Sequence, residues 1–138
     1  MATYGQGDSS SQAAGREAGI RKLVDDFYNI MSNDVRYQTI YAWHPENTEQ
    51  SRDKLARFLC GWMGGPRLYQ ERYGPISIPG VHAHLRVTEV ERDLWLQCMN
   101  DALSKQQYSD EFKDYLITQL AIPAERIRQT CKGVKPTA

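Results

Sequence analysis

A helix that carries Leu55, Phe58, Leu59, Trp62 and Met63 on one face cannot continue through Gly64-Gly65-Pro66. Apolar residues at three- and four-residue spacing mark a helix stripe, Gly64 is a natural terminator, and Pro66 has no N–H with which to resume. The irregular stretch 67–87 follows. Its Gly74-Pro75, Pro79-Gly80 and alternating Ile76 and Ile78 predict a loop with at most a short helix near His82. A second helix then opens at Thr88-Glu89-Val90-Glu91, a T-x-x-E capping box, and carries Leu94, Trp95, Cys98, Met99 and Ala102 on one side. Two apolar helices, joined by a long connection that delivers one histidine, make a walled apolar slot with a nitrogen in it. Such a connection is uncommon in a compact domain unless something besides protein organises it.

The rest of the chain is also helical in pattern. Ile20, Leu23, Val24, Phe27, Tyr28 and Met31 fall on a single helix face. Ser32-Asn33-Asp34 ends that helix and caps a short one over 35–41. Trp43-His44-Pro45-Glu46-Asn47 reads as a corner, because proline keeps His44 out of helical conformation. Thr48 is the expected N-cap of the next helix, with Glu49 near its positive end. Ser109 caps a final helix with Phe112, Tyr115, Leu116 and Leu120 inward; Pro123 should kink or split it before Ile127 and Cys131. No repeat and no strand pattern emerges, so the expected class is all-α. The expected organisation is a flexible tail over 1–14, one domain over 15–132 and a second tail over 133–138.

A chain of 138 residues is long enough to bury a sizeable core as one domain. Lys+Arg and Asp+Glu both count 17, which leaves no footprint for nucleic acid or a membrane surface. No apolar run reaches the ~18 residues of a membrane helix, and the polar start has no signal-peptide core, so the expected location is the cytoplasm. Cys60, Cys98 and Cys131 are far apart and form no C-x-x-C, as fits reduced thiols. Cys60 and Cys98 lie on apolar faces and are expected to pack there.

Four residues stand out chemically. His82 has the small neighbours Gly80, Val81 and Ala83, so a flat group could approach it, although a lone histidine is more often structural than a ligand. His84, two residues on, points elsewhere and is taken as exposed. Tyr28 and Trp95 each bring a polar hydrogen to an inward face, and a buried donor needs a partner, a backbone carbonyl being the ordinary one. His44 adds a third polar group from its corner. Two inward donors facing a histidine suit a small, electron-rich ligand. A helical interaction module without any cofactor, with all of these residues in its core, is the competing reading. No zinc spacing, Ser-His-Asp arrangement or phosphate loop is legible.

The motifs Leu23-Val24-Asp25-Asp26-Phe27-Tyr28, His44-Pro45, Lys54-Leu55-Ala56-Arg57-Phe58-Leu59, Trp62-Met63-Gly64-Gly65-Pro66-Arg67-Leu68-Tyr69 and Glu91-Arg92-Asp93-Leu94-Trp95-Leu96-Gln97-Cys98-Met99 together resemble the truncated haemoglobins of the second group. The resemblance spans about Ala18 to Leu103, and the last helix agrees in pattern. It implies a two-over-two helical sandwich around haem b, held non-covalently, since no C-x-x-C-H attachment motif is present. It implies His82, sixteen residues after Pro66, as the iron ligand. Tyr28 matches the family's distal tyrosine, Trp95 its marker tryptophan, and His44 a group against the haem edge. Ser51 matches the distal gate position, Leu55 lies one turn further, and Phe58 would pack on the macrocycle. Trp62 and Leu85 complete the lining, while Lys54, Arg67 and Tyr69 are candidates for the propionates. The chain departs from the family pattern just before the ligand, with Gly74-Pro75-Ile76 in place of Gly-His-Pro and Val81 in place of an arginine.

The implied ligands are O2, NO, CO and peroxide, with an unidentified reductase as partner and a monomer or homodimer as the assembly. Hydrogen bonds from Tyr28 and Trp95 would hold oxygen tightly. That suits NO dioxygenation or peroxidase-like chemistry better than carriage, with sensing or oxygen storage as the alternative. The resemblance also leaves room for His44 or Tyr28 as a sixth iron ligand when no gas is bound.

Overall fold

The structure, a computed structural model, describes Gly7 and residues 9–44, 47–74 and 88–131. The helices are α1 (Ser9–Ala13), α2 (Arg16–Asn33), α3 (Gln38–Tyr41), α4 (Glu49–Trp62), α5 (Leu68–Tyr73), α6 (Glu89–Ser104) and α7 (Asp110–Cys131), with a 3-10 turn over Val35–Tyr37 before α3. No strand occurs among the described residues, and none of the helices is long and apolar enough to cross a membrane.

Helix α2 is the hub. The periodic face read from the sequence, Ile20, Leu23, Val24, Phe27, Tyr28 and Met31, is buried along its whole length. It packs against α4 on one side and α6 on the other, and α6 packs in turn on α7. Each large apolar side chain sealed here contributes roughly 1.5–3 kcal/mol. Asp34 leaves α2 in extended conformation and its carboxylate accepts from the Arg36 N–H at 2.9 Å, which opens the 3-10 turn. The fully buried Tyr37 then ties that turn to α6 by donating to Asp101 Oδ2 at 2.5 Å.

Helix α4 ends as a Schellman stop. Gly64 has φ 88°, the Gly65 N–H donates to the Cys60 carbonyl at 2.9 Å, and the Gly64 N–H donates to that of Gly61 at 3.0 Å. The Met63 carbonyl, left over at the helix end, accepts from the Ser11 N–H at 3.1 Å. That contact overturns part of the expected N-terminal tail. Residues 9–14 pack on the domain through α1, with Ser10 and Ser11 each 3% exposed and Ala14 sealed. The approach depends on absent side chains: a Cβ on Gly65 would lie 2.9 Å from both the Cys60 carbonyl and Ser11 Oγ. Gly65→Ala is therefore expected to lower stability by about 1–3 kcal/mol, the usual cost of overpacking. Chemical denaturation checks it, and an unchanged midpoint would mean that α1 is not seated on the stop.

Three further expectations change. Part of the 67–87 stretch is helical, but the helix is α5 at 68–73, anchored by Tyr73, whose hydroxyl donates to Asp53 Oδ2 of α4 at 2.6 Å. Thr48 stands at the α4 N-cap without a side-chain cap bond. Asn47 Oδ1 accepts from the Glu49 N–H at 2.9 Å instead, and the Thr48 hydroxyl accepts from Arg52 Nε. Pro123 does not split the last helix, since α7 runs through it. The turn just beyond the proline is held to α6 by Glu125, which pairs with Arg92 at 2.7 Å and with Arg128 at 2.5 Å. Those two guanidiniums, Arg128 foremost, hold the Glu125 carboxyl well below the usual carboxylate range. At the start of α6, Thr88 caps the helix as the sequence suggests, but its Oγ1 accepts from the Val90 N–H at 3.3 Å and its hydroxyl donates to the Glu91 carboxylate, in place of the two backbone bonds of a capping box. Residues 132–138 lie outside the described part.

Candidate haem site

Helices α4 and α6 both pack on α2 and make little contact with each other. Each helix divides its apolar residues in two. In α4, Ala56, Leu59 and Cys60 are buried, as is Met63 just after the helix, whereas Ser51, Leu55, Phe58 and Trp62, at i, i+4, i+7 and i+11, are only half-buried. In α6, Cys98, Met99, Ala102 and Leu103 are buried, whereas Leu94 and Trp95 are half-buried. Large apolar side chains left half-covered along two helices are what a packed core avoids and what a flat apolar group would cover.

Tyr28 and Trp95 are joined through Phe27. The Phe27 ring lies edge-on to Tyr28 at 5.2 Å and to Trp95 at 5.3 Å between centroids. His44 stands perpendicular to Tyr28 at 5.3 Å. Its Nδ1–H donates to the Ile40 carbonyl at 3.0 Å, so Nε2 is its basic nitrogen. Tyr28 is 5% exposed, and burial pushes its phenol far above the ordinary value, so the hydroxyl is a hydrogen donor at any neutral pH. Neither the Tyr28 hydroxyl nor the Trp95 indole N–H meets an acceptor among the described residues, and neither is sealed from accessible space. The backbone-carbonyl alternative for these two donors is thereby removed within the described part. Cys98, next to them in α6, donates its thiol to the Phe27 carbonyl at 3.5 Å, and burial pushes that thiol up to about 12. It locks α6 to α2 and is not a nucleophile. Cys60 is buried likewise.

The candidate anion contacts separate. Lys54 Nζ sits 5.3 Å above the Tyr73 ring, and Tyr69 packs on that ring at 5.1 Å. Arg67 is exposed, and neither Lys54 nor Arg67 pairs with a carboxylate among the described residues. Lys54 and Tyr69 thus share one corner, at the junction of α4 and α5. His82, His84 and Leu85 fall outside the described residues. Two polar residues of α4 that the pattern did not single out organise its solvent side. Asp53 accepts from Arg21 at 3.0 Å, from Arg57 at 2.9 Å and from Tyr73, and these donors, Tyr73 foremost, hold its carboxyl at about 2. Arg52 lies 5.6 Å over the Tyr28 ring. The i,i+4 pair of Asp53 and Arg57 was the one signal available in the sequence.

The described residues hold no cluster of three or more His, Cys, Asp or Glu side chains able to bind a metal directly. The described residues are compatible with a haem: half-buried apolar side chains on α4 and α6, the Tyr28 and Trp95 donors without an acceptor among the described residues, and Lys54 and Arg67 without a carboxylate partner there. Known proteins agree. A family model described as "Bacterial-like globin" matches residues 11–129. The group 2 truncated hemoglobin YjbI of Bacillus subtilis is 28% identical over 116 residues, which is 84% of this chain and 85% of that one. The cold-adapted truncated hemoglobin of Pseudoalteromonas haloplanktis TAC125 superposes with a TM-score of 0.82 at 27% identity, over 86% of this chain and 95% of that one. The group II 2-on-2 hemoglobin of Agrobacterium tumefaciens does so with 0.81 at 25% identity, over 86% and 92%. The chain belongs to the bacterial-like globin family, and its α2/α4 and α6/α7 pairs form the two-over-two sandwich of the group II truncated haemoglobins.

Proposed function

We propose that the chain would hold haem b non-covalently between α4 and α6, with His82 as the residue that would bind its iron, and that Tyr28 and Trp95 would hold a diatomic ligand tightly enough to favour its reaction over its release. The observation that carries this is a pair of donors without acceptors among the described residues, beside half-buried apolar side chains of α4 and α6. Bound haem supplies an iron atom with a coordination position open to O2, NO or CO. Leu55, Phe58 and Trp62 would pack against the bound group and exclude water, and Ser51 would leave room at the entrance. Lys54, and after it Arg67 and Tyr69, receive the carboxylates. Tyr28 keeps its proton and donates it in a hydrogen bond, as Trp95 does, toward the most electron-rich end of the ligand. Bonds of this charge-assisted kind contribute about 1.5–3 kcal/mol each.

Such retention suits oxidation of NO to nitrate, which consumes one O2 and one electron, the electron being restored by a reductase. Mixing the oxygenated protein with NO in a stopped-flow instrument tests it. Conversion to the ferric form within the first milliseconds, with one nitrate per haem, is expected; slow conversion without nitrate counts against dioxygenation and leaves sensing or storage. Peroxidase-like cleavage is the second reading, favoured by His44 beside Tyr28, with Nε2 as the atom that takes up and returns a proton.

A further inference from the structure

The Tyr28 ring is held from two sides. His44 meets its edge at 5.3 Å, and the Arg52 guanidinium carbon lies 5.6 Å above it. Arg52 is itself pinned. Its Nε donates to Thr48 Oγ1 at 3.0 Å, its Nη1 to Asp25 Oδ1 at 3.2 Å and its Nη2 to Asn29 Oδ1 at 2.9 Å. Asp25 and Asn29 are one helical turn apart on α2 and bracket Tyr28 in sequence, so the planar fork is stretched across the root of the tyrosine. A lysine could not span three acceptors in this way. A cation over a phenol ring also draws electron density from it, and the Arg52 charge does oppose the upward push of burial on Tyr28.

We infer that Arg52 is the positioning residue for the distal donor: anchored on Asp25, Asn29 and Thr48, it clamps the Tyr28 ring against His44 and so fixes where the hydroxyl points. This rests on the haem reading above, and it adds to the slot a residue that never touches the ligand.

The test is a double-mutant cycle in the haem-loaded protein, read by oxygen dissociation rate and by the C–O stretch of the CO adduct. Arg52→Met should speed oxygen release roughly two- to fivefold, the scale of one exposed cation–π contact, and shift the C–O stretch. Arg52→Lys should recover part of both. On a Tyr28→Phe background Arg52→Met should change neither. In the haem-free protein, 13Cζ-tyrosine NMR should show the Tyr28 resonance move in Arg52→Met. An Arg52→Met effect of equal size on both backgrounds, or a Tyr28 resonance that ignores Arg52, would overturn the inference alone. Failure of the unaltered protein to form any CO adduct would overturn the haem reading and the inference with it.

Discussion

Replacing Tyr28 with Phe is expected to speed oxygen dissociation from the ferrous protein roughly ten- to a hundredfold, the loss of one charge-assisted hydrogen bond of about 1.5–3 kcal/mol. The substitution removes a single oxygen atom. The ring contacts with Phe27 at 5.2 Å and His44 at 5.3 Å do not need the hydroxyl, so the fold should stand and haem content should not change. Since the hydroxyl has no acceptor among the described residues, its removal orphans none of them. CO, which carries less negative charge on its outer atom, should be released at a rate much less affected. Ligand displacement followed by stopped flow measures both. Equal acceleration for the two gases would mean that Tyr28 acts by bulk, and no acceleration would remove it from ligand binding.

His82→Ala should have the larger effect: loss of stable haem binding, regained in part when free imidazole is supplied to replace the missing ring. Among the described residues, Cys98 is a buried thiol pushed up to about 12 and turned to the Phe27 carbonyl, while His44, whose Nδ1–H donates to the Ile40 carbonyl at 3.0 Å, keeps Nε2 available. The core built on Ile20, Leu23, Val24, Phe27 and Met31 is formed within the described helices, so the variant should remain helical. Haem content and far-ultraviolet circular dichroism of the purified variant decide between two accounts. Full haem retention in His82→Ala would assign the ligand elsewhere, with His44 or Tyr28 the first to be considered.

The parts of this molecule legible in the sequence are those whose burial is periodic. The stripes of α2, α4, α6 and α7 announce themselves, because apolar side chains three and four apart have one physical use in water. The same logic placed Tyr28 and Trp95 inward. It was silent on α1, whose Ser11 packs on the bare backbone of Gly65 and the spare carbonyl of Met63, neither of which shows in a hydropathy pattern. It missed α5, six mostly polar residues that are helical where Tyr73 reaches Asp53. Pro123 misled for a related reason. The missing N–H weakens one turn locally, but the clasp of Glu125 on Arg92 holds the next turn in place from another helix. Arg52 and Asp53 look like a solvated helix face until Asp25, Asn29, Arg21 and Tyr73 arrive from elsewhere in the chain. Tertiary partners gave these residues their meaning, and spacing along one helix could not.

The central claim is a haem held by one histidine with its opposite side open to small ligands. The absorption spectrum of the protein purified from haem-supplied cells, recorded ferric, ferrous and with CO, tests it most directly. The account predicts a Soret band in all three forms and a ferrous-CO adduct with the signature of a histidine opposite the gas. A protein that folds into the same helical domain and shows no Soret band would contradict it, and would return the Tyr28–Phe27–Trp95 cluster to an ordinary core.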